Sequence, residues 1–123
     1  MIGKTIEVLV IDDDFDTVEL FSEFLMIIGI SVVGKGYNGK EAVELYQKLK
    51  PDIVFLDIMM PHYDGFYALD GIRKIDPRAK LIMITADLTS NTADRLEKLQ
   101  VPFVYKPYEI DNIMAVIKKS TES

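Results

Sequence analysis

A parallel β-sheet covered by helices on both faces is the fold that this sequence predicts, and three observations predict it. Short apolar, β-branched runs alternate with longer stretches whose apolar residues recur at helical spacing. The runs "VLVI", "IVFL" and "LIMI" are apolar throughout, as strands buried on both faces are. The alternation itself supplies the crossover connections that parallel neighbours require.

Each element has its own signal. "IEVLVI" (6–11) is the first strand and stops at Asp12, Asp13 and Asp14. Asp16 and Glu19 have capping-box spacing, and Val18, Phe21, Leu25 and Ile28 share one helical face up to Gly29. "SVVGK" (31–35) is a second strand, kept short by Gly34 and Gly36. Asn38 and Glu41 repeat the capping signal before a helix with Ala42, Leu45, Tyr46 and Leu49 aligned, stopped before Pro51. "DIVFLD" (52–57) is the third strand. Beyond the turn "PHYDG", a helix over about 66–75 aligns Phe66, Leu69, Ile72 and Ile75, and Asp76-Pro77 ends it. "KLIMIT" (80–85) is the fourth strand, 90–100 a polar helix and "PFVY" (102–105) the fifth strand. Ile110, Ile113, Met114 and Ile117 mark the last helix, whose start is weakly signalled because Tyr108 is not a usual cap. "KKSTES" reads as a frayed tail. With no repeat or internal linker, the expectation is one domain over 1–123, its core about 5–119 and its tail 120–123.

Composition narrows the function classes. A chain of 123 residues with 49% apolar and 28% charged residues suits one soluble globular domain. A net charge of −6 argues against a surface that grips nucleic acid phosphates. The absence of cysteine excludes disulfides, thiol catalysis and thiolate zinc sites, and fits a reducing compartment. The longest apolar stretch (24–34) is broken by Gly29 and Ser31 and is too short to span a bilayer. The start lacks a secretory pattern, so a cytoplasmic location with no membrane contact is expected.

The polar residues at the strand ends carry the chemistry. The first strand ends at Asp12-Asp13, the third at Asp57, the fourth at Thr85 and the fifth at Lys106. Each alone has an ordinary role: aspartates cap helices, threonines favour strands, lysines are solvated. Together they fall at the carboxyl ends of parallel strands, where such sheets gather functional groups. Three neighbouring carboxylates repel, so they must take up protons or hold a cation. Oxygen-only donors, few in number, suit Mg²⁺ better than Ca²⁺. Three acids against one divalent ion and the Lys106 ammonium sum to roughly zero charge. A phosphoryl group on Asp57 would then meet a metal, the Lys106 ammonium and the Thr85 hydroxyl, which is the pattern of a carboxylate nucleophile with electrostatic stabilisation.

The stretches "VLVIDDD", "NGKEAVE", "PDIVFLDIMMPHYDG", "LIMITA" and "FVYKPY" resemble, in this order and over nearly the whole chain, the receiver domain of two-component response regulators. The likeness extends to chemotaxis-type single-domain regulators. Its specific part is the spacing: Pro61 four and Gly65 eight residues beyond Asp57, Thr85-Ala86 ending one strand and Lys106-Pro107 another. The resemblance implies a flavodoxin-like doubly wound sheet in the order 2-1-3-4-5, for which a member of this family is itself a standard example. It implies Asp57 as phosphoacceptor, with Asp13 bound to Mg²⁺ directly and Asp12 through water. Asp57 and the backbone carbonyl of Met59 would complete the protein ligands. It further implies that Thr85 and the Ala86 backbone N–H bind the phosphoryl oxygens, that Lys106 pairs with them, that Lys106–Pro107 is cis, and that Phe103 swings inward as an aromatic switch. The implied partners are a sensor histidine kinase or histidine phosphotransfer protein and a downstream effector reading the face of helix four, strand five and helix five, on a monomer or weak dimer.

Other residues read as ordinary. His62, the single histidine, is a turn residue; Met59, Met60 and Met83 are packing residues; Asp14 and Asp16 cap or flank the first helix rather than enter a metal shell. Phe15, Tyr37, Tyr63 and Tyr108 show no stacking arrangement that would suggest a base-binding face. Met59 and Asp87 stand where the family tunes phosphoryl lifetime, and "LQVPF" departs from the family's common Gly-Ala before the last strand. Three rivals remain. A haloacid-dehalogenase-type phosphatase would want an aspartate where Met59 stands, and a flavodoxin-like cofactor binder would not place three acids after the first strand. The third is a receiver that acts, unphosphorylated, as an interaction module only.

Overall fold

The computed structural model describes residues 5–122, so what was expected of the first four residues and of Ser123 lies outside it. Ten elements alternate: β1 (Glu7–Ile11), α1 (Phe15–Ile27), β2 (Ser31–Gly36), α2 (Gly39–Leu49), β3 (Ile53–Asp57), α3 (Gly65–Ile75), β4 (Leu81–Thr85), α4 (Ser90–Lys98), β5 (Phe103–Tyr105) and α5 (Ile110–Thr121). All the strand pairings are parallel, in the order β2-β1-β3-β4-β5 that the resemblance implies.

The two-residue period of the strands divides the core into two layers. Leu9, Ile11, Val54, Leu56, Leu81 and Met83 point into the layer that receives Ala42, Tyr46, Leu69, Ile72 and Leu96 from α2, α3 and α4. Val8, Val10, Ile53, Phe55, Ile82 and Ile84 point the other way, against Val18, Phe21 and Leu25 of α1 and Ile113 and Ile117 of α5. Both faces are buried, which is why these strands are apolar at every position.

Helix starts follow local chemistry. Asn38 Oδ1 accepts the Glu41 N–H at 2.9 Å, and Glu41 Oε1 accepts the Tyr37 N–H at 2.9 Å, so the capping signal of α2 operates as read. The signal at Asp16 and Glu19 does not set the start of α1. Asp12 Oδ1 accepts the Asp14 N–H at 3.0 Å in a tight turn, and Asp14 becomes the cap residue. Asp16 then lies inside the first turn, where its charge favours the helix N-terminus. The tail also differs from expectation, because α5 continues through Ser120 to Thr121, whose hydroxyl bonds back to the Ile117 carbonyl at 3.1 Å.

Register brings the chemistry to one edge. Ile11 pairs with Leu56, Asp57 with Ile84 and Thr85 with Tyr105, so the strands reach their carboxyl ends nearly level. The Lys106 N–H donates to the Thr85 carbonyl at 2.8 Å, fixing the start of the last loop against the end of β4.

Candidate functional site

Asp57 is the last residue of β3 and is almost entirely buried, as is Asp12 just beyond β1. Asp13 beside it faces solvent. One carboxylate oxygen from each of Asp12, Asp13 and Asp57 lies within 4.8 Å of the other two. From the far side comes Lys106, its Nζ 2.9 Å from Asp12 Oδ2 and 3.6 Å from Asp57 Oδ2. A buried acid at the end of an apolar strand is thus compensated locally: the Lys106 ammonium offsets part of the charge that burial disfavours.

That compensation is incomplete. Burial, reinforced by the negative charge of Asp12, pushes the Asp57 carboxyl up to about 6, against the opposing pull of Lys106 and the Met59 N–H. Burial also raises Asp13, helped by its hydrogen bond to Asp12. Burial alone would lower the Lys106 ammonium, but the Asp12 hydrogen bond and the charges of Asp57 and Asp12 outweigh it and hold Lys106 above its ordinary value. Three carboxylates with one ammonium leave an excess of negative charge. All donors are oxygen, and one side is open at Asp13, so the cluster fits a hard divalent cation.

Thr85 is fully buried at the end of β4, its Oγ1 accepting the Asp87 N–H at 3.0 Å. Ala86 is exposed beside it. The Asp87 carboxylate accepts the Thr89 N–H at 2.9 Å and the Thr92 hydroxyl, which hold its acid below the usual range. The hydroxyl of Thr85 is therefore connected through Asp87 to the first turn of α4. Phe103 opens β5 half-buried, its ring 5.4 Å from that of Tyr105. The Lys106–Pro107 peptide is cis. Met59 exposes its side chain, and His62 sits in an exposed turn with a φ of 66°.

Gly65 is where the loop after Asp57 closes. Its N–H donates to the Ile58 carbonyl at 2.9 Å, and a Cβ placed there would lie 2.6 Å from the Asp57 carbonyl oxygen and 2.7 Å from the Ile58 Cα. Backbone cannot yield as a flexible side chain can. Gly65→Ala is expected to cost about 1–3 kcal/mol of stability in chemical denaturation, and to weaken metal binding by shifting Asp57.

Several contacts carry no signal in the sequence. Tyr108 is half-buried beside the site, its ring 5.3 Å from Phe21, and it lines the same small cavity as Thr17, Asp57 and Lys106. Phe15, the first residue of α1, stacks on Tyr37 just beyond β2 at 5.9 Å and 20°. Arg73 of α3 donates to the Leu99 carbonyl at 2.6 Å, and the Arg95 guanidinium lies 3.7 Å above the Phe66 ring, so two arginines bind α4 to α3. Each joins residues over twenty positions apart, and spacing says nothing about such pairs.

Comparison with known proteins gives a consistent picture. Residues 8–118 match the response regulator receiver domain family. The chain is 36% identical to the chemotaxis protein CheY of Thermotoga maritima over 115 residues, covering 91% of this chain and 94% of that one. It is 34% identical to the chemotaxis protein CheY of Bacillus subtilis over 114 residues, covering 92% and 95%. A chain in the crystal structure of the CheX-CheY-BeF3-Mg²⁺ complex from Borrelia burgdorferi superposes with a TM-score of 0.89 at 27% identity, covering 96% of this chain and 90% of that one.

Proposed function

This chain belongs to the response regulator receiver family, and from that premise we propose that it is a phosphorylation-controlled switch whose phosphoacceptor is Asp57. The observation that carries the reading is the meeting of three carboxylates within 4.8 Å with an ammonium 2.9 Å from one of them and 3.6 Å from another. A carboxylate oxygen of Asp57 forms the new bond to phosphorus as the phosphorus–nitrogen bond of a partner's phosphohistidine breaks, the electron pair leaving on the imidazole nitrogen. Lys106 stays within reach of the transferred oxygens, and the Thr85 hydroxyl and the Ala86 N–H donate to them. Asp12, Asp13, Asp57 and the Met59 carbonyl would hold Mg²⁺, which when bound supplies the positive charge that phosphoryl transfer needs. The chain is a signalling protein of one receiver unit, with a core near 5–119, rather than an enzyme with turnover.

Movement of Thr85 toward the phosphoryl group gives up its bond from the Asp87 N–H, and with it the connection to α4. Phe103 follows inward, changing the α4–β5–α5 face for a downstream effector. A complete change of population, from 1:99 to 99:1, needs about 5.5 kcal/mol of differential binding. One or two charge-assisted hydrogen bonds at about 1.5–3 kcal/mol each supply a partial shift. Kinase and effector meet the chain in the cytoplasm; no helix among the described residues is long and apolar enough to cross a membrane. The test is transfer of phosphate from a phosphorylated histidine-containing donor in the presence of Mg²⁺. The wild type should drain the donor of label and Asp57→Asn should not; equal transfer to both proteins refutes the assignment.

A further inference from the structure

The loop between β3 and α3 follows a course that it does not hold alone. His62 takes a φ of 66°, a left-handed conformation that a residue with a side chain keeps only where its surroundings impose it. At the base of the loop, the Met60 and Gly65 N–H groups both donate to the Ile58 carbonyl, at 3.2 Å and 2.9 Å. The far end is held from a different element. Gly39, the buried first residue of α2, donates its N–H to the Tyr63 carbonyl at 2.7 Å. A Cβ on Gly39 would stand 2.5 Å from the Asp64 carbonyl oxygen and 2.8 Å from that of Tyr63, closer than the 3.0 Å that real contacts keep. Both obstacles are backbone, and the Asp64 carbonyl is already engaged by the Ala68 N–H at 3.2 Å, the first bond of α3. Asn38 steadies the start of α2 in turn, its side chain accepting the Glu41 N–H at 2.9 Å.

We propose that Gly39 is a positioning residue for the metal site: the start of α2 sets where the Met59 backbone stands, and so how well the acidic cluster fits a small hard cation. The route is short. Met59 lies between the two held ends of the loop, and its N–H bonds to the Asp57 carboxylate. Its carbonyl is the one backbone donor in the proposed Mg²⁺ shell. The inference rests on that reading of the shell and deepens it, because it adds a residue of another element that touches neither the carboxylates nor the ion. Mg²⁺ demands near-ideal octahedral geometry at about 2.0–2.1 Å, whereas Ca²⁺ accepts irregular shells at about 2.3–2.6 Å. A loop pushed off its seat on Gly39 therefore weakens Mg²⁺ more than Ca²⁺.

The experiment titrates Mg²⁺ and Ca²⁺ calorimetrically into the wild type, Gly39→Ala and Gly71→Ala. Gly71→Ala is the packing control: it sits in α3 against α2, but its Cβ would meet the Val43 side chain, at 2.7 Å, rather than backbone. Gly39→Ala should bind Mg²⁺ about tenfold more weakly and Ca²⁺ with a smaller loss, while Gly71→Ala binds both as the wild type does. In the metal-free proteins, the Met59 and Met60 amide signals should move in Gly39→Ala and stay in place in Gly71→Ala. Asn38→Ala, which loosens the first turn of α2 without adding bulk, should weaken Mg²⁺ by about threefold with the same order of ions. It decides the matter if Gly39→Ala does not fold. Unchanged Mg²⁺ affinity in the folded variant, an equal loss for the two ions, or the same loss in Gly71→Ala would overturn the proposal. If the wild type itself binds no Mg²⁺, the reading of the metal shell falls, and the metal-free amide signals still decide whether Gly39 holds the loop.

Discussion

Asp57→Asn is expected to stabilise the metal-free protein at neutral pH, by about 1–3 kcal/mol. The direction runs against the usual effect of a mutation in a buried site. Asp57 titrates near 6 in the folded chain against 3.8 for an ordinary aspartate, with burial the leading cause. The folded state therefore holds a proton more tightly than the unfolded state. The stability this provides is fully present below pH 3.8 and is lost as pH rises through about 6, above which the ionised side chain weighs fully against folding. Asparagine keeps the shape and removes the charge. Denaturation of both proteins with chelator present, from about pH 4 to about pH 8, reads the effect as a difference curve. The two should coincide at the acid end and separate through the titration of Asp57. A difference that is flat with pH would show that the carboxylate is not under electrostatic strain.

Lys106→Met should act in the opposite direction and by as much or more. Asp12 is nearly buried, its side chain 8% exposed, and its ion-pair partner is the ammonium at 2.9 Å. Removing one member of a buried pair leaves an uncompensated charge, which typically costs about 3–5 kcal/mol. Water reaches Lys106, whose side chain is 27% exposed, so a loss of about 2–3 kcal/mol is expected here. Two further measurements distinguish electrostatics from lost packing. Saturating Mg²⁺ should restore part of the loss, because a bound cation replaces the missing charge, whereas a packing defect would not respond. The double variant Lys106→Met/Asp57→Asn should be less destabilised than the sum of its parts, since the charges share one pocket. Strict additivity would place the Lys106 effect elsewhere.

The order and type of the elements were legible because a buried parallel sheet writes itself as uninterrupted apolar runs. A polar residue at the end of such a run then stands out, which is why Asp57, Thr85 and Lys106 could be singled out as residues. What failed to show was set by contacts between elements. The start of α1 depended on a turn in which Asp12 takes the Asp14 N–H, and the capping pattern at Asp16 was a coincidence of spacing within an acidic stretch. The last turn of α5 has no local signal, because "KKST" lacks apolar periodicity, yet Thr121 closes that turn on the backbone. The placement of Tyr108 against Phe21 and the hold of Arg73 on Leu99 both join residues from separate elements. No local pattern encodes these, since the fold itself brings them together. The Asp87 bridge from Thr85 to Thr92 lies between: its residues are neighbours, but its meaning depends on Thr85 being buried at a strand end.

A phosphorylation switch at this site requires that the phosphoryl group go to Asp57 and to no other residue. Incubation with acetyl phosphate and Mg²⁺, reduction of the acyl phosphate with borohydride, and peptide mass mapping would locate it. One modified residue per chain, at Asp57, formed with Mg²⁺ and absent when the metal is chelated, is the predicted result. Modification at His62, at Asp13 or at several carboxylates alike, or equal modification with and without metal, would contradict it.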